Sequence, residues 1–189
     1  MRIIGGQHRG LTLASVGKGD ASAHLRPTPD RVRESLFNVL AGYGLPQGAR
    51  VLDLFAGTGA LALEALSRGA SHATLVDKGR VARRLIGENL AKARREQDAR
   101  ILSCAADRLP QADAPCDLVF LDPPYGQGLG GPAVLAAQRQ GWLAPAALIV
   151  WEDSAQQAAP AGFATLDSRR YGDTHVTLLR AAPVPDGGQ

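Results

Sequence analysis

An acid and two prolines close the apolar run Leu118-Val119-Phe120-Leu121, in the order Asp122-Pro123-Pro124-Tyr125-Gly126. Hydrophobic residues cut off in this way read as a buried strand with an abrupt end. Neither proline has a backbone N–H to donate, and each disfavours helical angles in the residue before it. The Asp122 carboxylate, the Asp122 and Pro123 carbonyls and the Tyr125 ring are thus held at the strand's carboxyl end, where open α/β sheets place their ligands. Acceptors beside one flat aromatic face suit a conjugated amino group on a planar base.

A second cluster, Asp53-Leu54-Phe55-Ala56-Gly57-Thr58-Gly59, stands where a strand hands over to a helix. Gly57 and Gly59 lack the Cβ atoms that would keep a ligand off the backbone. The helix N-terminus that follows offers free amides. Asp77 comes eighteen residues after Gly59 at the end of the next strand, where an acid accepts ribose hydroxyls. A dinucleotide and S-adenosylmethionine both fit such a turn. Asp53 favours the second, because a carboxylate at the mouth repels a pyrophosphate and attracts the ammonium of a methionine moiety. Ala62 in place of a third glycine decides nothing.

The Asp-Pro-Pro-Tyr element is what decides for S-adenosylmethionine. Asp-Pro-Pro is also a common turn in unrelated proteins, but here it follows the glycine turn and Asp77 in the right order. If the Asp122 carboxylate and the Pro123 carbonyl accept the two N–H bonds of an exocyclic amine, its delocalised lone pair can turn towards a methyl donor. Tyr125 stacks on the base and fixes its plane. Positioning and electrostatics then supply most of the acceleration, without a metal or a covalent nucleophile.

The elements that must hold these clusters alternate. Strands are predicted over 51–55, 73–76, 99–104, 116–121 and 147–152, with helices over 60–68, 81–96 and 133–140. A final hairpin pairs 163–167 with 174–179 across the polar turn Arg169-Arg170-Tyr171-Gly172-Asp173. Alternating β and α units imply a mostly parallel sheet covered on both faces. Upstream, residues 1–13 read as a short β-hairpin carrying Arg2, His8 and Arg9, and 14–25 as a mobile loop. In Arg26-Pro27-Thr28-Pro29-Asp30, Thr28 suits an N-cap, Pro29 the first helical position and Asp30 the positive end of the dipole. That helix runs to about Leu40, burying Val32, Leu36, Val39 and Leu40 and leaving Arg31, Arg33 and Glu34 wet. The expected organisation is an N-terminal hairpin and helix over 1–45, one α/β domain over 46–181 and a disordered tail over 182–189.

The chain of 189 residues has ordinary globular composition, 45% hydrophobic and 21% charged, with a net charge of +3. Its pI of about 9.2 is compatible with a polyanion partner and equally with Arg-rich codon usage. Cys104 and Cys116 lack metal-ligand spacing and read as two core thiols of a reducing cytosol. No apolar run approaches a membrane span, so a cytoplasmic protein with no membrane contact is expected.

With these motifs laid out, the chain resembles the bacterial methyltransferases that modify the exocyclic N2 of a guanine in small-subunit (16S) ribosomal RNA. The resemblance rests on Arg2-Ile3-Ile4-Gly5-Gly6, Arg9-Gly10, Leu25-Arg26-Pro27-Thr28, Asp30 to Glu34, Leu36-Phe37-Asn38, Asp53 to Ala60, Leu63 to Gly69 and Asp122 to Tyr125. The Asp-Pro-Pro-aromatic motif is shared with many amino-methyltransferases, and the Arg-Pro-Thr helix points to this family. The resemblance implies a Rossmann-like S-adenosylmethionine-dependent fold, with a seven-stranded, mostly parallel sheet and a C-terminal antiparallel hairpin. It implies catalytic Asp122, Pro123 and Tyr125, and a cofactor site drawn from Asp53, Phe55, Ala56, Gly57, Thr58, Gly59, Asp77, Lys78, Ala106 and Asp107. The family usually has Glu where Asp77 stands. Either Asp107, through a shifted turn, or a backbone amide near Ala106 reads the adenine.

For substrate, Arg9, Arg26, Thr28, Arg31 and Pro124 are the leading candidates. Arg2, Lys18, Arg33, Arg169 and Arg170 are further candidates for phosphate contact, and phosphate contacts position RNA without naming its target. His24, beside the Arg-Pro-Thr element, is a further candidate for a place near the substrate. His8, His72 and His175 read as ordinary surface or hairpin residues, and Arg83, Arg84, Lys92, Arg94 and Arg95 as a solvated helix face. The Gly-rich segment 126–131 reads equally as a cover for a flipped base or a loose connection. The expected partner is 16S ribosomal RNA, free or in an assembling small subunit, met by a monomer without metal. The alternatives are an adenine-N6 or cytosine-N4 methyltransferase, a non-catalytic RNA-binding assembly factor, and a nicotinamide-dependent oxidoreductase.

Overall fold

The computed structural model describes residues 1–15 and 29–181. Seven strands, β1 (Arg50–Leu54), β2 (His72–Val76), β3 (Ala99–Leu102), β4 (Cys116–Leu121), β5 (Leu143–Asp153), β6 (Phe163–Tyr171) and β7 (Thr174–Ala181), form one sheet in the order β3-β2-β1-β4-β5-β7-β6. The first five are parallel, and β7 runs antiparallel to both β5 and β6. Four helices, α1 (Asp30–Gly42), α2 (Ala60–Ser67), α3 (Arg80–Ala93) and α4 (Gly130–Arg139), connect or flank them. This is the α/β sheet with a terminal hairpin that the sequence predicts. Strand order reverses between β1 and β4, which leaves a crevice at their carboxyl ends.

Each face of the sheet has its own core. Val51, Leu118, Phe120, Leu148 and Val150 pack with Leu36, Phe37 and Leu40 of α1 and with α2. Leu52, Leu54, Val119, Leu121, Ile149 and Trp151 pack with Ala133, Val134 and Ala137 of α4. Strand alternation makes the odd residues of β1 and the even residues of β4 and β5 share the α1 side.

Several boundaries differ from the sequence reading. Pro29 is the N-cap of α1 and Asp30 begins it, while Thr28 lies outside the described residues. The helix buries Arg33, Leu36, Phe37 and Leu40, and Val32 and Val39 are only half-buried. Helix α3 ends at Ala93 with Arg94 left-handed, and a 3-10 turn over Glu96–Asp98 leads into β3. Arg169, Arg170 and Tyr171 belong to β6, so the hairpin turns only at Gly172 and Asp173. Residues 1–13 fold back as expected but form a single bridge, Arg2 to Thr12, supported by Ile3 donating to Leu11 at 2.9 Å. Cys116 is buried, whereas Cys104 is only half-buried. The expectations for Lys18, His24 and Arg26 lie outside the described residues, as does the 182–189 tail. Among the described residues no helix is long and apolar enough to cross a membrane, and no His, Cys, Asp and Glu group could hold a metal ion.

A buried ionic cluster fastens the N-terminal segment to α2. Glu64 is fully buried, and its carboxylate accepts the Ile4 and Gly5 amides at 2.8 Å each and Arg68 Nε at 2.7 Å. Arg33, also fully buried, donates to Asp30 and to the Arg2 carbonyl at 2.7 Å and sits 3.9 Å from Glu64. At Gly6, φ is +75° and a Cβ would lie 1.9 Å from the Ser67 carbonyl oxygen, so only glycine allows this approach.

Candidate active site

A cavity of about 970 Å³ opens at the carboxyl ends of β1, β2, β4 and β5. Its wall gathers the expected Asp53, Phe55, Ala56, Gly57, Thr58, Asp77, Lys78, Ala106 and Asp107. Asp122, Pro123, Pro124 and Tyr125 are also part of the lining. Gly59 is not in it. With φ at +77°, a Cβ there would meet Leu75 Cδ2 at 2.9 Å, so its glycine serves the turn and the packing. Arg9 and Arg31 are exposed and lie outside the lining.

Asp53 is only 2% exposed, and its Oδ2 accepts the Ala62 amide at 3.2 Å. Burial pushes the Asp53 carboxyl up to about 8; the Ala62 hydrogen bond opposes this, and the charges of Asp77 and Glu152 add to it. A carboxyl so placed is ionised readily only when a cation arrives. Asp77 bridges the glycine turn to the next helix: Oδ2 accepts the Gly57 amide at 3.0 Å and Oδ1 the Gly79 amide at 2.7 Å. Each oxygen keeps a second lone pair. Phe55 adopts φ of +63° at the strand's end, a left-handed backbone uncommon for a residue other than glycine.

The Asp122 amide donates to the Leu54 carbonyl at 3.4 Å, which joins the acid–proline turn to the end of β1. The Tyr125 hydroxyl lies 3.2 Å from Thr174 Oγ1, so the start of β7 orients the ring. Sequence reasoning missed Glu152, Tyr171 and Thr174 in the lining, together with Met1 and Cys104, and placed Arg33 on phosphate where the structure buries it in the cavity wall. Glu152 carries a legible signal, since it closes an apolar strand as Asp122 does.

The family model described as conserved hypothetical protein 95 matches residues 1–180. The chain belongs to this family. Within it and its relatives, the chain is 42% identical over 160 residues to the ribosomal RNA small subunit methyltransferase D of Escherichia coli, covering 85% of this chain and 78% of that protein. It is 39% identical over 156 residues to the protein of the same name from Haemophilus influenzae, covering 80% and 78%. The solved structure of yhhF from Escherichia coli, a methyltransferase candidate, is similar at a TM-score of 0.83 and 38% identity, across 97% of this chain and 99% of that one. The family resemblance read from the sequence therefore holds, and so does the fold it implied.

The donors and acceptors around the cavity fit S-adenosylmethionine. Asp53 is a buried acid suited to an ammonium, and Asp77 presents free lone pairs where a ribose would lie. The half-buried Ala105 and the buried Ala106 offer backbone against which a flat ring can lie.

Proposed function

We propose that this protein transfers a methyl group from S-adenosylmethionine to the exocyclic N2 of a guanine in 16S ribosomal RNA. The observation that carries the reading is the Asp122-Pro123-Pro124-Tyr125 turn sharing one cavity with Asp53 and Asp77. The names of the relatives support ribosomal RNA of the small subunit as substrate. Asp53 holds the ammonium of the cofactor, Asp77 its ribose, and the Phe55–Thr58 turn lies along its length. When bound, the cofactor supplies an electrophilic methyl group on a sulfonium. The Asp122 carboxylate and the Pro123 carbonyl accept the two amine hydrogens, which turns the nitrogen lone pair out of the ring. Tyr125, held by Thr174, stacks on a base flipped out of its helix. Asp122 and Tyr125 are half-buried, and a base seated on them displaces water and strengthens both hydrogen bonds.

The N-terminal segment, α1 and the β6–β7 hairpin form the RNA-facing rim in this reading, with Arg9, Arg26, Thr28 and Arg31 on phosphates. The protein acts in the cytoplasm as a monomer. Mass spectrometry of ribosomal RNA from cells lacking the protein tests the function. A missing N2-methylguanine in 16S RNA is expected, and an unchanged set of methylated bases would refute it.

A further inference from the structure

Glu152 follows the apolar run Ala147–Trp151 just as Asp122 follows Leu118–Leu121. It is 2% exposed and lines the cavity, yet the transfer described above gives it no task. Leu121 pairs with Trp151 in the parallel register of β4 and β5, so the next step along both strands sets Asp122 beside Glu152. Phe120 and Val150 face the α1 side, and alternation puts both acids on that same side. Neighbouring strands run about 4.8 Å apart, a spacing that lets two carboxylates meet adjacent N–H groups of one base.

Guanine is the base that offers such a pair. Its N2 amine is followed by N1–H, while adenine and cytosine present a lone pair on the ring nitrogen beside their amine. We propose that Glu152 is the specificity-determining residue that accepts the N1–H of the target guanine while Asp122 holds its N2 amine. This rests on the guanine reading above and deepens it. An acid at this place repels the ring-nitrogen lone pair of adenine or cytosine, whose amines alone would satisfy Asp122.

The test is small-subunit RNA rebuilt by ligation with either guanine or 2,6-diaminopurine at the mapped target, using S-adenosylmethionine with a labelled methyl group. Diaminopurine keeps the N2 amine but carries a lone pair at N1. The wild-type protein is expected to prefer guanine by about 100-fold in kcat/KM, within the range for one well-made base contact. Glu152→Gln, whose amide can donate to N1, should narrow that preference to less than about tenfold. Glu152→Asp should keep the preference. Equal use of both bases by the wild-type protein overturns the assignment without needing any variant. So does a Glu152→Gln protein with the wild-type ratio. In each of those results guanine-N2 transfer by the wild-type protein leaves the proposed function standing; no transfer to any guanine overturns both.

Discussion

At the scale of single residues, Asp53 and Asp122 are the two acids whose removal separates binding from chemistry. Asp122→Ala is expected to abolish transfer while calorimetry still shows cofactor binding, since Asp122 lies beyond the turn that holds the cofactor. Asp53 makes a prediction in pH. Its folded value of about 8 lies far above the ordinary carboxylate value of 3.8, so between those limits the folded chain holds a proton that the unfolded chain has released. Its contribution to stability is therefore fully present below about pH 4 and is lost as pH rises through 8. In the ligand-free protein, Asp53→Asn should raise the thermal midpoint at pH 9 and have a smaller effect at pH 5. A midpoint difference that does not vary with pH would count against this. Binding of S-adenosylmethionine below pH 8 should release close to one proton, measurable from calorimetric heats in buffers of different ionisation enthalpy.

The scale of elements is where the sequence was easiest and hardest to read. Apolar runs ended by acids located β2 and β4, and the glycine turn after Phe55 located the end of β1 and with it the cofactor turn, because strand ends in a parallel sheet are marked by abrupt changes of residue type. Arg33 was misread for an instructive reason. It lies three, four and seven residues before Leu36, Phe37 and Leu40, squarely on the buried stripe, but a charged side chain suggests water. What reverses that expectation is Glu64 on α2, and no local pattern reports a partner thirty-one residues away. Tyr171 and Thr174 were missed likewise, because the hairpin reaches the cavity only through tertiary packing. The buried cluster yields a stability prediction. Glu64→Ala strands Arg33 and the Ile4 and Gly5 amides, and should cost about 3 kcal/mol or more in denaturant unfolding. Gly6→Ala should loosen the same contact and make the N-terminal segment more open to limited proteolysis, because its Cβ collides with the Ser67 carbonyl.

For the whole molecule, a net charge of only +3 means that RNA affinity depends on where the cations stand. Arg9 and Arg31 are exposed, whereas Arg2 and Arg33 are engaged with Asp30. Replacing both Arg9 and Arg31 with Ala should weaken RNA binding and flatten its dependence on salt by about 1.5 in log–log slope, at roughly 0.7–0.9 per phosphate lost. An unchanged slope would place the RNA elsewhere. The chain also carries its own gauge of cavity occupancy. Cys116 is buried, and burial holds its thiol up at about 12, while Cys104 stands half-buried in the cavity wall with its thiol raised by burial and by Asp107. A small alkylating reagent should therefore mark Cys104 slowly and Cys116 hardly at all, and a filled cofactor site should shield that one sulfur from the label.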